Sequence, residues 1–315
     1  MRVLSGRDIA ELVDVAALMP AIAAAMQAVT NRQVTMPLRS VMKLPGADMM
    51  GVMQGWLGTP AGHGVKVLSL YPDNPAKGRS SHAGLMLLFD TETGLACACL
   101  DAAVLTAIRT AAATAVATDV LARKDARRLA IIGCGEQAAI HIEAMRAIRP
   151  INEIIVWGRD AAKAAAFAAA HGAKVAEDVA EAVRNADIVV TATPATTPLL
   201  LPDMLRPGMH IAAVGASIPN MQEIDAGCLK LVRLFTDYLP SLEAQAAEVI
   251  AARREGYDPQ PVEIGAVLNG APGRRDDADI TMYRSLGVVA QDLAAAHAIL
   301  ARAEAVGRGV VVEMN

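Results

Sequence analysis

Gly133-Cys134-Gly135-Glu136-Gln137-Ala138 is the segment whose residue types and spacing most directly imply chemistry. Gly133 permits a tight turn, Gly135 lets the backbone approach a pyrophosphate, and Ala138 lets a helix pack closely on the strand before it. The helix that starts there offers unpaired N–H groups and a positive dipole end to phosphates. A second set of candidates is cationic. Lys66 sits in Gly64-Val-Lys-Val-Leu68, Arg39 in Pro37-Leu-Arg-Ser40, and Arg109 in Leu105-Thr-Ala-Ile-Arg-Thr-Ala-Ala-Ala113. Buried cations are costly unless paired. Three of them in apolar settings point to a pocket for an anion, and a carboxylate fits. Taken singly, each reads equally well as an internal salt bridge or a snorkelling surface residue. For Arg109 that bland reading is weaker, because no acid lies one helical turn away.

The phosphate loop has the context it requires. An apolar run, Arg127-Arg-Leu-Ala-Ile-Ile132, precedes it, a helical segment follows, and a second apolar run closes with Ile154-Ile-Val-Trp157-Gly158. Strand, helix and strand at these distances make a βαβ unit for a dinucleotide. The second strand carries information on the cofactor. An NAD site places Asp or Glu at its end for the ribose 2′-hydroxyl. Here Trp157 and Gly158 are followed by Arg159, with Lys163 one turn later. A guanidinium binds a 2′-phosphate in a charge-assisted fork, which favours NADP(H), with NAD(H) as the lesser option. The bland alternative is that Arg159 is a solvated loop residue and Asp160 caps the next helix.

The rest of the chain must position these groups. Residues 7–30 read as helices, with Pro20 at the first turn of the second. Residues 34–44, 49–57 and 63–71 read as strands, and 83–90 with 95–101 as a hairpin. Residues 102–122 read as a long Ala/Thr-rich helix. From Arg127 strands are expected at 128–132, 153–157, 173–175, 187–192, 210–214 and 231–236, and helices at 136–148, 160–170, 178–185 and 221–229. Further helices are expected at 241–256 and 281–305, with a helical turn at 263–268. The fold class is α/β: a Rossmann-type doubly wound parallel sheet inserted into a discontinuous α+β substrate and dimerisation domain. The expected domains are residues 1–118 with 285–315, and residues 119–284.

Composition narrows the function classes. The chain has 315 residues, enough for two domains, and a formal net charge of −4, which gives no sign of a nucleic-acid partner. Hydrophobic residues make up 54%, much of it Ala in helical runs, and no stretch reads as a membrane span or signal peptide. The four cysteines lack zinc spacing and the six histidines form no paired ligand motif, so no metal site is expected. Reduced thiols suit a cytoplasmic location.

These residues together resemble the ornithine cyclodeaminase/mu-crystallin family over nearly the whole chain. The resemblance rests on Pro37-x-Arg39, Gly64-x-Lys66 with Tyr71-Pro-x-Asn74, Leu88-Phe-Asp90…Gly94 and Leu105-Thr-Ala-x-Arg-Thr-Ala-Ala-Ala-Thr114. It continues through Gly133-x-Gly-x-Gln-Ala138, Val214-Gly-Ala-Ser-x-Pro219…Glu223-Ile-Asp225 and Ile280-Thr…Ser285-x-Gly287. It implies a dimerising substrate domain wrapped around a Rossmann domain, hence a homodimer. By position it implies that Arg39 and Arg109 hold a substrate carboxylate and that Lys66 sits beside the reacting C=N carbon. Thr110, Gly135, Glu136 and Gln137 would lie on the cofactor phosphates, Thr193 and Pro194 on the adenine and ribose side. Val214, Gly215, Ala216 and Ser217 would pass near the nicotinamide.

One departure separates subfamilies. Cyclodeaminases carry an aspartate for the ammonia-releasing step where this chain has Ser217, and an acid where it has Gln54. A hydroxyl does not ionise near neutral pH. Reductases of cyclic ketimines resemble this chain at Ser217 and tend to use NADPH. The expected reaction is NADPH-dependent reduction of a small cyclic imine carboxylate, Δ1-pyrroline-2-carboxylate to L-proline or Δ1-piperideine-2-carboxylate to L-pipecolate. Lys66 is the proton donor, Arg39 and Arg109 the carboxylate clamp, and Ser217 a hydrogen-bond partner of the ring nitrogen. The competing expectations are an NAD-dependent ornithine cyclodeaminase, an alanine or N-alkyl amino-acid dehydrogenase, and a non-catalytic NADPH-dependent binding protein. Arg159→Ala is expected to raise the KM for NADPH far more than that for NADH, by about tenfold or more for one charge-assisted contact. Equal changes in steady-state KM for the two coenzymes would contradict the assignment.

Overall fold

The computed structural model describes residues 1–314, with Pro75 and Ala76 described by their backbone alone. The chain forms two compact units, residues 1–110 with 288–315, and residues 111–287.

The first unit opens with β1 (Arg2–Leu4), α1 (Gly6–Leu12) and α2 (Val15–Thr30). Ser5 and Asp8 form a reciprocal capping box at the start of α1. Pro20, expected at the first turn of its helix, lies inside α2. The helix begins earlier because the Asp14 carboxylate caps it, accepting from the Ala17 N–H at 2.8 Å. Next come β2 (Val34–Thr35), β3 (Ser40–Lys43), β4 (Met49–Gly58), β5 (Ala61–Leu70), β6 (His82–Phe89) and β7 (Ala96–Asp101). The expected single strand over 34–44 is therefore two, parted at Pro37, which has no N–H for a ladder. Helix α3 (Ala102–Leu121) follows. By length and composition α3 could cross a membrane, which corrects the expectation that no such stretch exists. Its apolar window is 78% buried inside the protein: the run of small residues is interior packing.

The second unit contains β8 (Arg128–Ile132), α4 (Glu136–Ile148), β9 (Glu153–Trp157), α5 (Ala161–His171), β10 (Lys174–Val175), α6 (Val179–Val183), β11 (Ile188–Thr191) and β12 (His210–Ala213). It continues with β13 (Arg233–Thr236), α7 (Leu239–Gln245), α8 (Ala247–Arg254), β14 (Val262–Glu263), α9 (Ile264–Leu268) and β15 (Thr281–Arg284). Its sheet runs β10-β9-β8-β11-β12-β15-β13-β14, with every pairing parallel. This is the Rossmann-type doubly wound sheet. Strand order reverses between β8 and β11, the crevice where such sheets bind ligands.

Three expected helices are corrected here. Residues 221–229 form only a short 3-10 turn, Ala226–Lys230, capped by Asp225. The residues before it stay non-helical, with the Leu199 and Leu200 N–H groups donating to the Glu223 carbonyl. Residues 241–256 are two helices, broken where Ala246 is extended. The expected helix 281–305 begins with a strand instead. Thr281–Arg284 is buried along its whole length between β12 and β13. Asp237 Oδ2 then accepts from the N–H groups of Leu286, at 2.8 Å, and Gly287, at 2.6 Å, which fixes the turn that ends the strand.

The chain returns to the first unit with α10 (Val289–Ala305) and β16 (Val310–Val311). The first unit's sheet runs β16-β1-β7-β6-β5-β4-β2, with β3 on β4, and β4 to β7 are antiparallel neighbours. Helix α10 packs across β4, β5 and α2. Three glycines beneath it set its depth. A Cβ at Gly55 would come within 2.6 Å of Val289, one at Gly62 within 2.0 Å of His297, and one at Gly64 within 3.1 Å of Leu293. Val289, Leu293 and His297 recur every four residues, so one stripe of α10 seats directly on the backbone of β4 and β5. The register places Lys66 opposite Met53 on β4 and Met86 on β6, on this helix-covered face. The other face carries Val52, Trp56, Val65, Val67, Leu85 and Leu87, by the two-residue alternation of strands.

Candidate functional site

Lys66 is 1% exposed, yet it is a charged residue in the middle of a sheet. Its Nζ lies 2.7 Å from both oxygens of Asp292 on α10 and 3.4 Å from the Thr106 hydroxyl on α3. The Nε of Arg109, also on α3, lies 2.9 Å from Asp292 Oδ1, an ion pair by distance rather than a directed hydrogen bond. Arg109 Nη1 donates to Gln291 Oε1 at 2.7 Å, and Gln291 Nε2 donates in turn to the Met26 sulfur at 3.4 Å. Arg109 has no acid one helical turn away on α3, yet it has one in space. The acid lies on a helix remote in sequence, where spacing could not reveal it.

The balance of charge is the informative feature. Among the described residues, the ion pairs of Lys66 and Arg109 both end on Asp292. Two buried cations share one carboxylate, so the cluster keeps a surplus positive charge. Arg39, half-buried between β2 and β3, adds a third cation whose field reaches Lys66. Burial is the main cause that lowers the Lys66 pKa to about 7, helped by Arg109 and Arg39, while Asp292 pulls it back up. Arg109 Nε is buried and makes no directed hydrogen bond among the described residues. A small carboxylate is the group that would complete this cluster. Thr110, next to Arg109, is buried in α3.

In the second unit the phosphate loop has the expected form. Gly133 ends β8 with φ of +125°, a backbone conformation that disfavours any side chain, and its N–H donates to the Trp157 carbonyl at 2.8 Å. Gly135 is exposed, with open space where a Cβ would be, and stands at the N-cap of α4 with no side chain capping it. Glu136 and Gln137 form the first turn. The uncapped start and bare backbone suit a pyrophosphate. Trp157 and Gly158 end β9, and Arg159 and Lys163 are both exposed. Arg159 makes no ion pair among the described residues, and Asp160 is committed to capping α5, accepting from the Lys163 N–H at 3.0 Å.

Two loops at the same edge of this sheet are tied together by one side chain. Glu223 is 1% exposed, and its Oε1 accepts from the N–H and hydroxyl of Thr193 at 2.7 and 2.8 Å. Its Oε2 accepts from the N–H groups of Gly215 and Ala216 at 2.8 and 3.0 Å. Burial pushes the Glu223 carboxyl above the usual range, while its donors pull it back. The bridge fixes Thr193-Pro194 after β11 against Val214-Gly215-Ala216-Ser217 after β12. Pro194 is exposed and Ser217 half-buried, so both loops keep an accessible side.

The structure therefore brings Lys66, Arg109 and Arg39 into one electrostatic cluster, and Gly133, Gly135, Arg159, Thr193 and residues 214–217, expected at the cofactor, to the carboxyl ends of the parallel strands, while Thr110 lies on α3. Sequence reasoning missed Asp292, Gln291 and the bridging role of Glu223. A signal for Asp292 existed: it is a lone carboxylate in Val288-Val-Ala-Gln-Asp-Leu-Ala-Ala-Ala296, the mirror image of the lone cations in their own apolar runs.

The chain is similar to known proteins over most of its length. Residues 1–307 match the family described as the Ornithine cyclodeaminase/mu-crystallin family. A Delta(1)-pyrroline-2-carboxylate reductase of Bacillus cereus is 33% identical over 261 residues, 79% of this chain and 80% of that protein. The solved structure of Thermococcus litoralis Delta(1)-pyrroline-2-carboxylate reductase, in complex with NADH and L-proline, superposes with a TM-score of 0.95 at 29% identity and covers 99% of this chain and 100% of that one. An archaeal alanine dehydrogenase dimer with bound NAD gives 0.93 at 28% identity, covering 100% of this chain and 99% of that one.

Glu223→Ala would strand four donors in the two loops. It is expected to lower stability by about 2–4 kcal/mol, read as an earlier urea midpoint at unchanged slope. A loss below about 0.5 kcal/mol would show that the bridge does not hold the loops.

Proposed function

The chain belongs to the ornithine cyclodeaminase/mu-crystallin family, and we propose that it reduces a cyclic ketimine carboxylate with NADPH, Δ1-pyrroline-2-carboxylate to L-proline first and Δ1-piperideine-2-carboxylate to L-pipecolate second. It is an NAD(P)H-dependent oxidoreductase with the fold of imine-reducing relatives. The observation that carries the substrate reading is the buried cluster with two cations on one carboxylate. A ring imine with an adjacent carboxylate supplies the missing anion and places its C=N bond beside Lys66.

When bound, a nicotinamide would supply the hydride, two electrons with one proton, that the imine carbon takes up. Arg109 and Arg39 orient the carboxylate, which restricts the approach of that carbon and makes the transfer effectively unimolecular. As the new C–H bond forms, the C=N π pair moves to nitrogen, and the Lys66 ammonium gives that nitrogen a proton. Lys66 is left as a neutral amine beside Asp292 and regains a proton from water. Its pKa of about 7 suits both halves of that cycle near neutral pH. Ser217 can donate or accept a hydrogen bond at the ring nitrogen. It has no charge to expel ammonia, which disfavours the cyclodeaminase reading.

NADPH is preferred in this reading because β9 ends without a carboxylate, Asp160 is spent on a helix cap, and Arg159 is left for a 2′-phosphate. The relatives solved with NADH and NAD make this the point where the chain would differ from them. A homodimer is the proposed assembly. The uncovered face of the antiparallel sheet is apolar, with Trp56 43% and Leu85 50% exposed, and a second copy would bury it. The four free thiols fit a reducing cytoplasm.

Lys66→Met is expected to lower kcat by about 10²–10⁴-fold, the usual worth of a positioned proton donor, with coenzyme affinity by fluorescence titration nearly unchanged. The assay is a panel of cyclic imines and 2-oxo acids, each with NADPH and NADH. An active Lys66→Met enzyme would remove Lys66 from the mechanism. Turnover of 2-oxo acids with amines in place of the ring imines would reassign the chain to the dehydrogenases.

A further inference from the structure

Asp292 has no part in the reduction as described so far, yet the architecture of the first unit converges on it. Its side chain is fully buried on the helix that seats on Gly55, Gly62 and Gly64, and that close seating brings its carboxylate within 2.7 Å of Lys66. Gln291, the preceding residue, anchors Arg109 from the same helix at 2.7 Å. Two consecutive polar residues in the buried first half of α10 thus engage both cations of the cluster. A purely structural buried pair would be balanced one to one. This one is short by an anion and leaves Arg109 Nε without a directed hydrogen bond among the described residues.

We propose that Asp292 is the positioning residue of this site: its single carboxylate aims the Lys66 ammonium and the Arg109 guanidinium together and keeps the proton on Lys66 until the substrate takes it. The proposal rests on the imine-reducing reading above. The charged and titratable groups facing Lys66 are Asp292 from α10, Arg109 from α3, Arg39 from the β2–β3 segment and His82 at the start of β6. His82 has its pKa depressed, first by burial and then by Lys66 itself. Asp292 is therefore the attractive partner in a field otherwise set by cations. Without its charge, Lys66 sheds its proton at a lower pH, because burial and the two arginines all act in that direction. The remaining cations would still attract a carboxylate. Binding and turnover should then separate: proton delivery suffers and anion capture does not.

The test compares wild type with Asp292→Asn, which keeps the shape and removes the charge, and with Asp292→Glu, which keeps the charge and displaces it by one methylene. The Lys66 pKa is read directly from NMR of side-chain carbon-labelled lysine, a readout independent of activity. In Asp292→Asn it is expected to fall by about one unit or more, the usual effect of losing an opposite charge at contact distance. The alkaline limb of kcat should move down by the same interval. The KM for the ring imine should stay within about threefold or fall, and kcat should drop by about tenfold or more, the factor that one pKa unit corresponds to. In Asp292→Glu the Lys66 pKa should remain near its wild-type value while kcat falls through misalignment. A folded Asp292→Asn with an unchanged Lys66 pKa and alkaline limb overturns the proposal. If Asp292→Asn does not fold, an Asp292→Glu enzyme with wild-type kcat overturns it instead. A wild-type chain that reduces no ring imine refutes the substrate reading alone, and the lysine titration still decides the role of Asp292.

Discussion

One carboxylate, Asp292, serves two buried cations, and the first unit is built around that imbalance. Burying a lysine without a partner would cost several kcal/mol, and breaking such a pair by removing one member costs about 3–5 kcal/mol. The chain accepts part of that cost in Lys66, which burial and neighbouring arginines bring to the edge of deprotonation. In the proposed reading, what it gains is a site whose electrostatics are completed only when an anion arrives. A proton donor held near neutrality by its surroundings is suited to general-acid work, since it gives up and regains its proton at modest cost.

Each unit meets its own positioning problem with close backbone contacts and a buried acid. In the first, glycines on β4 and β5 let α10 approach until its polar pair reaches Lys66 and Arg109. In the second, Glu223 ties the loops after β11 and β12 together at the edge of the parallel sheet, and Gly133 takes a positive φ so that α4 starts with its N–H groups uncovered. Interiors are close-packed, so such contacts transmit position with little slack. A carboxylate replaced by a neutral group, or a glycine by alanine, would be felt as misplacement as well as lost stability.

Much of the second unit was legible in the sequence. β8, α4 and β9 lie where the fingerprint places them, because strand, turn and helix signals there are local and reinforce one another. Lys66 and Arg109 were legible as cations in apolar runs. Their partner was not, since the Lys66 contact spans 226 residues and no spacing rule covers it. The errors share that character. Thr281–Arg284 is a strand because β12 and β13 flank it, and residues 221–225 stay non-helical because the Glu223 carbonyl and carboxylate are both used by neighbouring loops. Pro20 is the local exception: it sits mid-helix because an aspartate six residues earlier caps first. Local propensity gave way wherever a tertiary partner supplied the hydrogen bonds.

The claim that the surplus positive charge selects a carboxylate-bearing imine is tested most directly by paired substrates. Δ1-pyrroline-2-carboxylate and the same ring without its carboxylate would be compared in kcat/KM with saturating NADPH. A charge-assisted clamp of two arginines, at roughly 1.5–3 kcal/mol for each contact, predicts that the acid is preferred by about 10²–10⁴-fold. It also predicts that Arg109→Leu narrows that ratio. Equal kcat/KM for the two rings would contradict the account, because the buried cations would then have no part in choosing the substrate.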